Sequence, residues 1–390
     1  MFADDWGRHP SSCQHLVSRF LSRRQIVWVN TIGTRPPQLN WSTIKRGLEK
    51  LRQWTAINRH PKESAEDASP SVVSDLYSPN PVILNPKMWP SFRSRFARGV
   101  NRRLLTRALK PLAESGGTPP VVVTTLPLMA DLVGQFRARR WVYYCVDDFS
   151  VWPGLDGRTM RNMEIELVAK ADIAIAASEN LQTHLANLGK PAHVLTHGVD
   201  LDFWRTQHGE IKGPSWLEEL QKLGRPLIVF WGVIDRRLDL AFIRKLGESL
   251  TEGVILFVGP QDNPDPELFH IPRVRFFPAL PFDDLPHLAA HAAAFIAPYA
   301  DLPVTRAMQP LKLKEYIATG KPAIVRKLPA TEPWADCADV TDTPAAFAAA
   351  VLERLAGGVP VEQQRARVRL KAEGWDAKAE QFERWIDGRE

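Results

Sequence analysis

Short apolar runs recur along the chain, separated by segments whose apolar residues return every three or four positions. In the second half the runs are 227–231, 254–258, 274–277, 295–298 and 323–325, all short and rich in β-branched or aromatic residues. In the first half they are 25–30, 121–125, 141–146, 173–177 and 192–196. Strand alternating with helix predicts parallel, doubly wound sheets. Beyond Asp200 and up to about Pro214 the periodicity is lost, as in an interdomain linker. The pattern therefore predicts an α/β chain of two doubly wound parallel-sheet domains, 1–205 and 206–370. A terminal helical segment, 371–390, carries Trp375, Phe382 and Trp385, which are aromatic enough to dock.

The most informative stretch is 309–326, QPLKLKEYIATGKPAIVR. Pro310 fits the first turn of a helix, where its missing N–H costs nothing. Leu313, Tyr316 and Ile317 recur at helical spacing and would face a core. Gly320 suits a left-handed C-terminal cap, and Pro322 prevents continuation. Lys312 and Glu315 are three apart and share one side of the helix. A lysine in the first turn opposes the helix dipole, and it is better placed if a phosphate sits at the same N-terminus. Glu315, one turn deeper, could then accept hydrogen bonds from sugar hydroxyls. A solvated Lys–Glu pair worth about 0.3 kcal/mol accounts for the same two residues.

Other strand ends carry candidate chemistry, because ligands of open α/β sheets bind beyond the carboxyl ends of the strands. Asp147 and Asp148 follow the run 141–146, where either could contact a sugar hydroxyl, orient an acceptor, or cap the next element. Gly232 to Arg237 follows a strand and reads as the opening of a helix, a natural phosphate cradle, with Arg236 or Arg237 to neutralise a diphosphate. Gly259 could let a nucleotide base approach the backbone. Gly33, after the first strand, is a weak phosphate-loop signal, and no GxGxxG or P-loop pattern occurs. Asp200 and Asp202 match a DxD metal motif only formally, and their linker position argues against it.

With 390 residues, 44% hydrophobic and 24% charged, the chain has room for two cores. No uninterrupted apolar run approaches a membrane span, and MFADDWGRHP lacks the pattern of a signal peptide. Cys13, Cys145 and Cys337 lack metal-ligand spacing, so a reducing cytoplasm is the simplest compartment. The net charge of +6 is unevenly spread. Arg93, Arg95, Arg98, Arg102, Arg103 and Arg107 crowd one predicted helix beside an apolar stripe of Phe92, Phe96, Val100, Leu104 and Ala108. Such a helix either lies on an anionic membrane surface or packs in a domain with a solvated basic face. No recognisable nucleic-acid module accompanies it.

In order and spacing, several motifs resemble one family. They are DDW (4–6), QHL (14–16), LNP (84–86), YYCVDDF (143–149), ADIAIAASENL (171–181), HGVD (197–200), WGVIDRRLDL (231–240), FVGP (257–260) and PLKLKEYIATGKP (310–322). Together they resemble retaining GT-B glycosyltransferases of the group 1, family 4-like type, in the branch of teichuronic acid and exopolysaccharide transferases. The resemblance implies two Rossmann-like domains facing across a cleft, the last helix returning to the N-terminal one. It implies a nucleotide-sugar co-substrate (UDP- or GDP-sugar), no metal, and a glycan or lipid-linked acceptor in surface polysaccharide biosynthesis. Glu315 would bind the ribose, Lys312 and the Gly232–Arg237 loop would surround the diphosphate, and Asp147 and Asp148 would face sugar or acceptor. The chain departs from the pattern at Ala307, where relatives carry a glutamate eight positions before Glu315, and at Val233, where an arginine often follows the loop glycine. Two other readings are a non-catalytic nucleotide-sugar-binding partner and a nucleotide-sugar 2-epimerase. The expected location is cytoplasmic, at the inner face of the membrane if the basic helix binds there.

Overall fold

The computed structural model describes residues 1–7, 11–31, 80–115, 117–205 and 215–389. Gly33 and most of the linker region therefore lie outside the described residues. Seven strands, β1 (Phe2–Ala3), β2 (Val27–Asn30), β3 (Val82–Leu84), β4 (Val121–Thr124), β5 (Arg140–Cys145), β6 (Ile173–Ala176) and β7 (His193–Val194), form one sheet. Their order is β3-β2-β1-β4-β5-β6-β7. The β1–β2, β1–β4, β2–β3, β5–β6 and β6–β7 ladders are parallel. Two of these strands escape the sequence pattern. β1 is only two residues long, yet Phe2 pairs with both Val29 and Thr124. A strand that short has no periodicity to detect.

A second, six-stranded sheet contains β8 (Leu227–Trp231), β9 (Val254–Val258), β10 (Val274–Phe277), β11 (Ala294–Ala297), β12 (Ala323–Arg326) and β13 (Asp339–Thr341). Its order is β10-β9-β8-β11-β12-β13, again with parallel ladders. Both sheets thus follow the doubly wound order in which the first strand is central and the fourth lies on its other side. β8, β9 and β11 are buried at every position, which is why they read as continuous apolar runs rather than as alternation. β13 was hidden because Asp339, Val340 and Thr341 are only part-buried.

The chain divides into two compact units, each discontinuous in sequence. The first is Met1–Trp6, Phe20–Trp141 and Phe149–Asp172; the second is Gly7–Arg19, Val142–Asp148 and Ile173–Glu390. In the second unit the terminal helix, Trp375–Asp387, docks through all three aromatics. Trp375 stacks on His15 at 4.8 Å, Phe382 meets Tyr144 at 5.6 Å and Trp385 stacks on His193 at 4.5 Å. Cys13, Cys145 and Cys337 are buried, and none is in a disulfide.

In the first unit the basic helix runs Arg95–Ser115, and its buried face is not the expected one. Ala97, Asn101, Leu105 and Leu109 are buried, whereas Phe96 is 76% exposed. The stripe is displaced by one position because Asn101, a polar residue, turns inward. Its side chain accepts from the Trp89 amide at 2.6 Å and donates to the carbonyls of Trp89 and Ser91, fixing the entry segment. Arg98 is not part of a solvated face either. It forks onto Asp131 at 2.7 and 2.8 Å and also binds Glu166. Arg93 pairs with Asp156 at 2.6 Å. Arg102, Arg103, Arg107 and Lys110 remain exposed and, with Thr106 and Gln135, line an open depression of about 650 Å³. Among the described residues no single helix is long and apolar enough to cross a membrane.

Candidate active site at the switch point of the second sheet

The strand order of the second sheet reverses between β8 and β11, and the loops beyond those two strands are where an open α/β sheet binds its ligand. A third element closes the same place, the helix Leu311–Ala318. It forms much as the sequence predicts. Leu313, Tyr316 and Ile317 are buried, and Gly320 takes the left-handed φ of 78°. Pro310 is the N-cap rather than a first-turn residue, and no side chain caps the amides.

Lys312 reaches over the end of β8. Its Nζ donates to the Tyr299 hydroxyl at 2.7 Å and lies 4.1 Å from the centre of the Phe230 ring. Gly232 makes room for it, since a Cβ there would come 2.3 Å from Lys312 Nζ, and the backbone has φ 130°. Glu315 accepts from Trp231 Nε1 at 3.1 Å, while the Trp231 amide donates to the Tyr316 hydroxyl at 3.1 Å. The helix is thereby stitched to the last residue of β8 on two sides. Glu315 is surrounded by protein but keeps an opening to solvent. Burial raises its carboxyl to about 7, against the opposing pull of Trp231 and Lys312. A carboxylate and an ammonium group thus sit one turn apart at a switch point, both part-exposed and both oriented by aromatic partners.

The loop after β8 differs from the expectation that it opens a helix. Asp235 and Arg237 build a turn, and Leu238 bridges to Tyr299. The helix begins only at Leu240. Asp239 caps it by accepting from the Ala241 and Phe242 amides, so those donors are already taken. Arg237 is buried and held by Asp235 at 2.8–3.0 Å, with Nη1 against Met308 Sδ at 3.8 Å. Burial would lower its pKa, but Tyr299, Asp235 and Asp147 outweigh that and keep it firmly charged. Asp147, beyond β5, is therefore within electrostatic reach of the loop after β8. Asp148 is part-buried beside it, and the following helix is capped by Asp156 instead. Arg236 is half-exposed and paired with Asp265 at 3.8 Å.

Gly259 serves the backbone, not an open space. With φ 148°, a Cβ there would sit 2.0 Å from the Gly232 carbonyl oxygen, and the Gly232 amide donates to Val258 O at 2.9 Å. The two glycines let the loops after β8 and β9 nest. Ala307 ends the helix Pro303–Ala307, with its carbonyl accepting from Ser178 Oγ at 3.4 Å. Asp301, six residues earlier, is paired with Arg306 at 3.1 Å. Asp200 of the formal DxD motif accepts from the Phe203 amide and pairs with Arg19 at 3.2 Å, a structural use. Trp231, Tyr299 and Phe230 also line this site, although no spacing argument singles them out. The strand-end rule could have found Trp231 and Tyr299, each at or just past the carboxyl end of a strand flanking the switch point.

No protein-family model matches the chain. Over 184 residues it is 27% identical to TuaH of Bacillus subtilis (strain 168), named as a candidate teichuronic acid biosynthesis glycosyltransferase. The matched stretch covers 45% of this chain and 45% of that one, so the chain spans about half the length of this curated relative. Among solved structures it is similar to Anabaena HepE crystallised with UDP and glucose, with a TM-score of 0.69, 12% identity, and coverage of 99% of this chain and 98% of that one. It is also similar to sucrose-phosphate synthase from Thermosynechococcus elongatus, with a TM-score of 0.62, 16% identity, and coverage of 94% and 99%. Near full-length likeness to these structures, together with two parallel sheets of the same doubly wound order, gives the chain the GT-B fold.

Proposed function

We propose that the chain is a glycosyltransferase whose nucleotide-sugar donor binds at the switch point of the second sheet. The observation that carries this reading is the convergence there of Lys312, Glu315 and the cradle beside Gly232. HepE, of the same fold, has been crystallised with UDP and with UDP-glucose, which favours a UDP-sugar over a GDP-sugar. The ribose hydroxyls would donate to Glu315, and Lys312 with the uncapped helix N-terminus would meet the diphosphate. Positioning, and stabilisation of charge on the departing phosphate, would supply most of the rate. Asp147 and Asp148 would face the sugar or the acceptor, a glycan or lipid-linked glycan, with retention at the anomeric carbon and without a metal requirement. A thermal-shift series against UDP, GDP, ADP and their sugars tests the donor assignment, because stabilisation follows ligand concentration over its dissociation constant. Stabilisation by UDP compounds is expected; no shift at millimolar ligand would remove the basis of the proposal. Ala307, in place of a glutamate, favours a second reading in which the chain binds donor without transfer. UDP release that depends on added acceptor separates the two.

The proposal extends to peripheral attachment at the inner face of the cytoplasmic membrane through the helix Arg95–Ser115. Arg95, Arg102, Arg103, Arg107 and Lys110 are exposed alongside Phe96, and each basic residue near an anionic surface contributes about 1 kcal/mol. Reversing Arg102, Arg103 and Arg107 to Glu should abolish sedimentation with phosphatidylglycerol vesicles at 0.1 M salt. Unchanged sedimentation of the folded triple variant would exclude this helix as the contact. Arg98 is unsuitable for the experiment, since it holds Asp131 and Glu166.

A further inference from the structure

Lys314 is a charged residue on the buried side of the donor-site helix, 2% exposed. Its Nζ donates to Glu373 at 2.5 Å, to Thr196 Oγ1 at 3.3 Å and to the His197 carbonyl. Glu373 also receives Lys378 at 2.9 Å, so one carboxylate answers two ammonium groups. Burial lowers Lys314 to about 8 despite Glu373. Burial would raise Glu373, but the two lysines outweigh it and hold that carboxyl at about 2.

The anchor itself is fixed. The Val199 amide donates to the Glu373 carbonyl at 2.9 Å, and Val199 and Gly374 form a parallel bridge. A Cβ on Gly198 would come within 2.7 Å of the Trp375 ring, so these segments are in close contact. The helix Leu311–Ala318 is not rigid by itself, because eight residues are too few for an isolated helix to persist and no side chain caps its start. Its rotation is therefore set by its contacts. Lys314 and Glu315 are neighbours about 100° apart around the axis, so a turn of the helix that releases one displaces the other.

We propose that the Lys314–Glu373 pair is a positioning device, fixing the rotation of this helix so that Glu315 meets the donor without the pair touching the donor itself. The inference rests on the reading of this site as the donor site. A buried ion pair contributes little net stability on average, but it penalises alternative arrangements that leave either charge unpaired. UDP-glucose affinity, measured by calorimetry on the full chain well below its melting temperature, tests it. Glu373→Gln and Lys314→Met should each weaken binding about tenfold, and the double variant should be no worse than either, as expected of partners acting through one interaction. Glu373→Gln should add nothing in a Glu315→Ala background, because its effect passes through Glu315. A purely structural role instead lowers the melting temperature and leaves affinity unchanged. Unchanged affinity in the single variants, or an undiminished loss in the Glu315→Ala background, overturns the inference. Should Glu373→Gln fail to fold, Lys314→Met carries the same comparison, because it leaves Glu373 paired with Lys378. A wild-type chain that binds no UDP-glucose overturns the donor-site reading and this inference together; equal binding by wild type and variants overturns this inference alone.

Discussion

Replacing Glu315 with Ala should weaken UDP-glucose binding about 100-fold at pH 8. Two hydrogen bonds from ribose hydroxyls to a carboxylate contribute about 1.5 kcal/mol each or more, and each 1.4 kcal/mol is a factor of ten. The pH dependence is more specific than the loss itself. Burial raises Glu315 to about 7 in the free chain, and the ionised form is the better acceptor. Affinity should therefore fall as pH drops below 7, approaching tenfold per unit. UDP-glucose suits this measurement because its diphosphate diester does not titrate in that range. Glu315→Gln should flatten the profile between pH 6 and 8. The sign for stability is opposite. A carboxyl raised on folding contributes stability that is fully present below its unfolded value and is lost as pH rises through 7. Glu315→Gln, which keeps an acceptor for Trp231 Nε1, should thus raise the melting temperature of the free chain at pH 8. A flat affinity profile in wild type, or a Glu315→Gln variant less stable than wild type at pH 8, would contradict this account of the residue.

Gly259→Ala should be among the most destabilising single substitutions in the second sheet. The added Cβ would meet the Gly232 carbonyl at 2.0 Å, and backbone atoms have no rotamer by which to yield. The φ of 148° adds strain that only glycine avoids. A loss of about 3 kcal/mol or more is expected, in the range reserved for overpacking and backbone strain. Gly320→Ala provides the comparison. Its φ of 78° is close to the left-handed region, which alanine reaches at modest cost, and nothing lies within 4 Å of the new Cβ. The cost there should be about 1 kcal/mol, from the backbone alone. Urea denaturation of the two variants measures the difference; equal costs would mean that the loops after β8 and β9 do not nest as described.

Much of this architecture is legible from the sequence, for identifiable reasons. β8, β9 and β11 are buried on both faces and appear as uninterrupted apolar runs. The helix Leu311–Ala318 is bracketed by Pro310 and Gly320, residues with strong local preferences. What stays hidden depends on partners distant in the chain. β1 is a strand only because β2 and β4 flank it. The basic helix turns Asn101 inward because Trp89 and Ser91 offer it partners, and no periodicity argument would place an amide on a buried face. Lys314 is invisible for the same reason, since its burial depends on Glu373, 59 residues away. At the site, Lys312 and Glu315 stand out by their spacing. Arg237, also singled out, is already committed to Asp235, a fact of turn geometry that the sequence does not disclose.

A crystal structure of the chain with UDP-glucose would decide whether the switch point of the second sheet is the donor site. Ribose hydroxyls are expected on the Glu315 carboxylate, with the diphosphate within hydrogen-bond reach of Lys312 Nζ, beside Gly232. A nucleotide bound elsewhere, with Lys312 still on Tyr299 and Glu315 still on Trp231 alone, would rule this site out as the donor site.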